Sequence, residues 1–183
     1  MPDASPIAVF GSSEPAPGEP LYEQARELGG LLAGAGFVVV TGGYAGVMEG
    51  VSRGARENRG STLGVICETF GHRTPNRYLD RSISTPDLYL RQKELVERSR
   101  GYVVLEGRAG TVSELALLWA LHRAGCLGRR PVILLGRYWK EFLNVLQGHG
   151  TLERAQLEIT RLVNTPREAV EVLQRSAGRS EGA

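Results

Sequence analysis

"FVVVTGGYAGVMEGVSRGARENRGSTLGVIC", residues 37–67, decides the fold. "FVVVT" (37–41) is wholly apolar up to its threonine and rich in β-branched residues, so it reads as a strand buried on both faces. It stops at Gly42 and Gly43. "GVMEGVSRGARENRG" (46–60) then carries a helical period, although Gly50 and Gly54 weaken it. "TLGVIC" (62–67) is a second apolar strand. A strand, a helix and another strand with no polar face mean a parallel sheet covered by helices.

The same alternation runs outward in both directions. "IAVF" (7–10) predicts a strand, and "PLYEQARELGGLLAGAG" (20–36) a helix with Gly36 near its stop. Downstream, helix 88–100 is followed by strand "YVVL" (102–105) and a long helix at 111–125. Strand "PVILL" (131–135), helix 138–150 and a short strand at 159–164 come next. The last helix, 165–176, has Thr165 as its N-cap and Pro166 at its first position. With right-handed crossovers this is an α/β, doubly wound, mostly parallel sheet, a Rossmann-like three-layer sandwich. Residues 1–176 are expected to form one domain and 177–183 a polar tail. Residues 68–86 form the one long irregular connection, read either as a lid or binding loop or as a padded crossover.

Composition excludes several functions. A net charge of +2 supplies no field for nucleic acid. The basic residues are 20 Arg with only Lys93 and Lys140; codon usage accounts for this, or arginine's bidentate match to phosphate. Cys67 and Cys126 make no metal or disulfide pattern, and His72, His122 and His149 are dispersed, so no metal is expected. The N-terminus lacks a signal peptide's basic and apolar regions, and no apolar stretch approaches the ~20 residues of a membrane span. A cytoplasmic protein with no membrane partner is expected.

In a sheet of this kind, the first residues after each strand gather at one edge. Here they are "GSSEP" (11–15), "GGYAGVMEG" (42–50) and "EGRAGTVSE" (106–114). Glycine lets backbone amides approach a ligand, and the following helix offers free N–H groups and a positive dipole end. Ser12, Ser13 and Thr111 add hydroxyl donors. Each turn alone could be tight packing; three at one edge point to a phosphate-bearing ligand. "GGYAGV" lacks the G-x-G-x-x-G spacing, no Gly-Lys-Ser/Thr marks a P-loop, and no G-x-S-x-G marks a hydrolase nucleophile.

Together these stretches resemble the Lonely-guy family of nucleoside 5′-monophosphate phosphoribohydrolases, long labelled "possible lysine decarboxylase". The resemblance runs over roughly residues 7–147. "PNRY" (75–78) and "RQK" (91–93) fit the family's middle, and "EGRAGTVSE" falls on its Pro-Gly-Gly-x-Gly-Thr-x-x-Glu signature. The resemblance implies a homodimer that cleaves the N-glycosidic bond to free base and ribose 5-phosphate, with no cofactor. It implies that Arg91 and Glu114 are catalytic and that Gly107, Arg108, Ala109, Gly110 and Thr111 hold the phosphate. Gly11, Ser12, Ser13, Gly42, Gly43, Gly46 and Met48 would meet ribose and base. Lys93 is shifted from a basic family position.

The signature departs from the family at Glu106, in place of proline, and at Arg108, in place of glycine; Tyr44 and Ala45 replace a Gly-Pro pair of one branch. Arg108 is expected either to pair with Glu106 or to turn inward onto an anion, and a positive φ at 108 would be strained. The alternative function is a non-catalytic carrier of a phosphate-bearing ligand such as molybdenum cofactor. A true decarboxylase is disfavoured, since neither lysine sits in a pyridoxal motif. Apolar residues on helices 88–100 and 111–125, Leu118 and Trp119 among them, are expected to pack a two-fold dimer, the alternative being that they are core.

Overall fold

The computed structural model describes residues 5–71 and 73–180. His72 and the tail residues 181–183 lie outside them. Seven strands form one parallel sheet: β1 (Pro6–Phe10), β2 (Val38–Thr41), β3 (Thr62–Cys67), β4 (Arg81–Thr85), β5 (Gly101–Val104), β6 (Val132–Leu135) and β7 (Thr160–Val163). Their order is β4-β3-β2-β1-β5-β6-β7. The chain winds one way from β1 to β4 and the other way from β5 to β7. The reversal lies between β1 and β5, where a crevice opens at the strands' carboxyl ends.

The helices are α1 (Pro20–Gly34), α2 (Val47–Glu57), α3 (Leu88–Glu97), α4 (Ala109–Arg123), α5 (Tyr138–Gly148), α6 (Arg154–Ile159) and α7 (Pro166–Ser180). The period of two along each strand sends alternate residues into two cores. Ile7, Val9, Val39, Val103 and Ile133 meet Leu28, Leu32, Val51 and Leu173 from α1, α2 and α7. Ala8, Phe10, Val40, Val104 and Leu134 meet Leu95, Leu115, Leu118 and Trp139 from α3, α4 and α5. This is the expected three-layer Rossmann-like sandwich. The glycines that weaken 46–60 as a helix have a packing reason. A methyl group at Gly54 would strike the Arg26 carbonyl and one at Gly29 the Val51 carbonyl, so α1 and α2 lie almost backbone to backbone.

Four expectations are corrected. The connection 68–86 contains β4, which the sequence hides because "RSIST" is polar apart from Ile83. An edge strand needs little burial, and only Thr85 of the five is buried. A single 3-10 turn, Glu68–Phe70, precedes it. Helix α6 was not foreseen; the Gln156 side chain accepts from the Glu153 amide at 3.0 Å at its start. Helix α7 runs on to Ser180, beyond the expected end at 176; Thr165 caps it, its hydroxyl accepting from Glu168 N at 3.2 Å. Leu118 and Trp119 are core, 0% and 6% exposed, and Trp119 Nε1 donates to Thr160 Oγ1 at 2.9 Å. Among the described residues, the large apolar side chains exposed on this face are Leu88, Tyr89 and Leu90 of α3 and Tyr138 and Val145 of α5. Among the described residues no helix is long and apolar enough to cross a membrane.

Candidate functional site

The loops after β1 and β5 are tied to each other and to α2 by backbone hydrogen bonds. Leu105 N donates to Phe10 O, Ser12 N to Glu106 O at 3.0 Å, and Val47 N to Ser12 O at 2.9 Å. This stitching requires close approach. Gly46 has φ of 71°, and a methyl group there would run into the Ser12–Ser13 backbone. Gly107 is buried beneath the Thr111 side chain.

A cavity of about 320 Å³ opens where the loops meet, within the range of small-molecule sites. Of the residues singled out from the sequence, Gly11, Ser12, Ser13, Gly42, Met48, Arg91, Arg108, Gly110, Thr111 and Glu114 line it. Gly43, Gly46, Gly107 and Ala109 do not. The first three stand behind the wall as spacers, Gly43 against Ile66 and Gly64. Its floor is set by the N-terminus of α4, whose first amides have no intrahelical acceptor and present a positive dipole end. An added methyl group at Gly110 would meet nothing within 4 Å, so this end of the helix is open to a ligand.

Arg91 is 6% exposed. Asp87 caps α3, accepting from Leu90 N at 2.8 Å, and the helix delivers Arg91 beneath the loop after β2. Its Nε donates to Val65 O at 2.8 Å and its Nη2 to Gly42 O at 3.1 Å. Two donors of the guanidinium are therefore fixed, and Nη1 lies 3.9 Å from Glu114 Oε1. The rings of Tyr44 and Phe70 flank the cation at 5.8 and 6.0 Å. Burial pushes the Glu114 carboxyl up to about 7, against the opposing pull of Arg91. Near neutral pH this carboxyl exists in both forms, and it can stabilise positive charge or exchange a proton.

The two departures in the signature are accommodated. Arg108 has φ of −96°, extended backbone without strain. Its Nη2 pairs with Glu14 Oε2 at 2.8 Å, not with Glu106. Tyr44 is a buried strut: its hydroxyl donates to Cys67 O at 3.1 Å and accepts from Cys67 N at 2.9 Å. Asn76 of "PNRY" holds the same loop, its amide on Gly43 O at 2.8 Å and its side chain on Tyr44 O at 3.0 Å. Lys93 points away and pairs with Glu97 at 3.9 Å. Sequence reasoning missed Glu14, Phe70, Arg73, Leu88, Gln92 and Ser113 as lining residues. Gln92 stood inside "RQK" and Ser113 inside the signature. Phe70 and Arg73 lay in the connection read as irregular, with no pattern to single them out.

A Rossmann-like sheet with a cavity at its switch point defines the class. The chain belongs to the SLOG cluster4 family, whose sequence profile matches residues 4–165, and the likeness to the Lonely-guy family read from the motifs is borne out. It is 30% identical over 174 residues to a Mycobacterium tuberculosis protein named cytokinin riboside 5′-monophosphate phosphoribohydrolase, covering 90% of each chain. Among solved structures it is similar to the molybdenum cofactor binding protein of Rippkaea orientalis, with a TM-score of 0.78 and 25% identity over 97% of this chain and 99% of that one. It is also similar to the molybdenum cofactor carrier protein of Chlamydomonas reinhardtii, with a TM-score of 0.71 and 26% identity over 94% and 97% of the two chains.

Proposed function

We propose that this protein is a cytoplasmic hydrolase of nucleoside 5′-monophosphates, releasing free base and ribose 5-phosphate. The observation that carries the reading is the meeting of Glu114, raised to about 7, with the buried Arg91 in one cavity beside the open N-terminus of α4. The likeness to the named phosphoribohydrolase supports it. The phosphate sits on the amides of Gly110 and Thr111 and on the Thr111 hydroxyl. Glu114 lies one turn further into α4, below the phosphate and beside the ribose. As the C1′–N bond breaks, positive charge grows on the ribose; the Glu114 carboxylate stabilises it and orients the water whose oxygen bonds to C1′. The attacking water gives one proton to the Glu114 carboxylate and the departing base nitrogen takes one in turn, so that the water's OH and H end on C1′ and on the base. Arg91, held by Val65 O and Gly42 O, directs Nη1 at the reacting groups and keeps Glu114 partly ionised.

The working form is a homodimer. Leu88, Tyr89 and Leu90 are 43%, 85% and 41% exposed on α3, next to the cavity that Leu88 also lines, and a two-fold contact there would cover them.

A carrier of molybdenum cofactor is the second reading, supported by the likeness to a molybdenum cofactor binding protein and to a molybdenum cofactor carrier protein. Incubation with a panel of nucleoside 5′-monophosphates, with ribose 5-phosphate measured, separates the two. Release supports the hydrolase; tight binding of a phosphate-bearing ligand without release supports the carrier.

A further inference from the structure

The Arg108–Glu14 ion pair spans the mouth of the cavity. Thr111, at its inner end, is 4% exposed, whereas the Arg108 side chain is 79% and the Glu14 side chain 55% exposed. Between them stands Gly110, with open space where a side chain would be. Anion-binding groups therefore occur at two depths: the α4 amides and the Thr111 hydroxyl inside, a guanidinium outside. Arg108 makes no capping hydrogen bond to its own helix, and its extended backbone carries the side chain outward. Among the described residues that line the cavity, the cations are Arg73, Arg91 and Arg108 and the carboxylates are Glu14 and Glu114. Arg73 is engaged over the Phe70 ring at 5.1 Å, and Arg91 is fixed by backbone carbonyls. Arg108 is held only by an exposed carboxylate, and such pairs contribute little. A phosphate offers the same fork of donors a stronger, bidentate acceptor.

We propose that the site takes a nucleoside 5′-diphosphate, its inner phosphate on the α4 amides and its outer phosphate on Arg108 in exchange for Glu14. This rests on the reading of the cavity as a nucleotide site given above, and it extends the ligand by one charged group. Glu14 acts as the resident competitor: it neutralises Arg108 when the mouth is empty and repels an outer phosphate that Arg108 does not reach.

Calorimetric titration of the full chain with AMP and with ADP, in magnesium-free buffer, tests the proposal. The wild type is expected to bind ADP about tenfold more tightly than AMP. Arg108→Ala should remove that preference by weakening ADP about tenfold more than it weakens AMP. Glu14→Gln should tighten ADP severalfold. Both side chains are on the surface, so melting curves should match the wild type. Equal weakening of AMP and ADP by Arg108→Ala overturns the proposal while the nucleotide reading stands, because Arg108 then serves the single phosphate. A wild type that binds AMP as well as ADP also overturns it. A wild type that binds neither removes the nucleotide reading and the proposal together.

Discussion

Arg91 Nη1, on α3, lies 3.9 Å from Glu114 Oε1, on the next helix α4, and both side chains are largely withdrawn from solvent. The separation is too long for a tight hydrogen-bonded pair. Arg91 is satisfied by Val65 O and Gly42 O, so the cation stays in place whatever the protonation state of Glu114. The carboxyl keeps a high affinity for its proton because burial outweighs the neighbouring charge.

Glu114→Gln keeps the side chain's shape and removes its charge. Ribose 5-phosphate release should fall by on the order of a hundredfold or more. Nucleotide affinity should stay within about tenfold, or about 1.4 kcal/mol. Steady-state kinetics beside a binding titration measures both; full turnover in the variant would remove Glu114 from the chemistry.

The raised Glu114 value sets a pH window. A carboxyl whose folded value lies near 7 and whose ordinary value is 4.5 binds more protons folded than unfolded between those limits. Its contribution to stability is therefore fully present below about pH 4.5 and is lost as pH rises from there through about 7. Denaturant melts of wild type and Glu114→Gln should show the wild type losing stability relative to the variant from pH 5 to pH 8. Activity should run the other way: kcat/KM rises with pH through about 7 as the carboxylate forms.

Thr111→Val preserves volume and deletes one hydroxyl. Its loss should weaken phosphate binding by about tenfold, the cost of one hydrogen bond to a charged group. Because Thr111 is buried at the start of α4, the melting temperature serves as the control. An unchanged affinity for ribose 5-phosphate would place the anion elsewhere.

Gly46→Ala should be harmful although residue 46 does not line the cavity. The left-handed φ costs about 1–2 kcal/mol, and the new methyl group would meet the Ser12–Ser13 backbone. A loss of about 2–4 kcal/mol in urea unfolding is expected, with a greater loss of nucleotide affinity than Gly110→Ala causes.

Tyr89→Asp combined with Leu90→Asp should convert a dimer into single chains in light scattering. Both side chains are exposed on α3 and neither belongs to the two cores, so the fold should survive. A wild type already of single-chain mass at micromolar concentration would count against the dimer.

The sequence by itself determined the sheet, because "IAVF", "FVVVT", "TLGVIC", "YVVL" and "PVILL" are apolar on both faces and only a covered parallel sheet buries them so. It also determined which loops share an edge, since strand direction places Ser12, Gly42 and Thr111 together. Tertiary structure alone decided the rest. β4 is an edge strand whose polar residues leave no hydrophobic period. Gly50 and Gly54 read as helix breakers until α1 approached them. Trp119 and Leu118 had two readings, interface or core, and only the packing beneath α4 made them core. Arg108 met Glu14, not Glu106, because backbone bonds from Ser12 to Glu106 and from Val47 to Ser12 draw the first loop across the mouth. The proton affinity of Glu114 was the least legible property of all. It depends on how much water the folded chain excludes from one carboxyl, and no local pattern of residues records that.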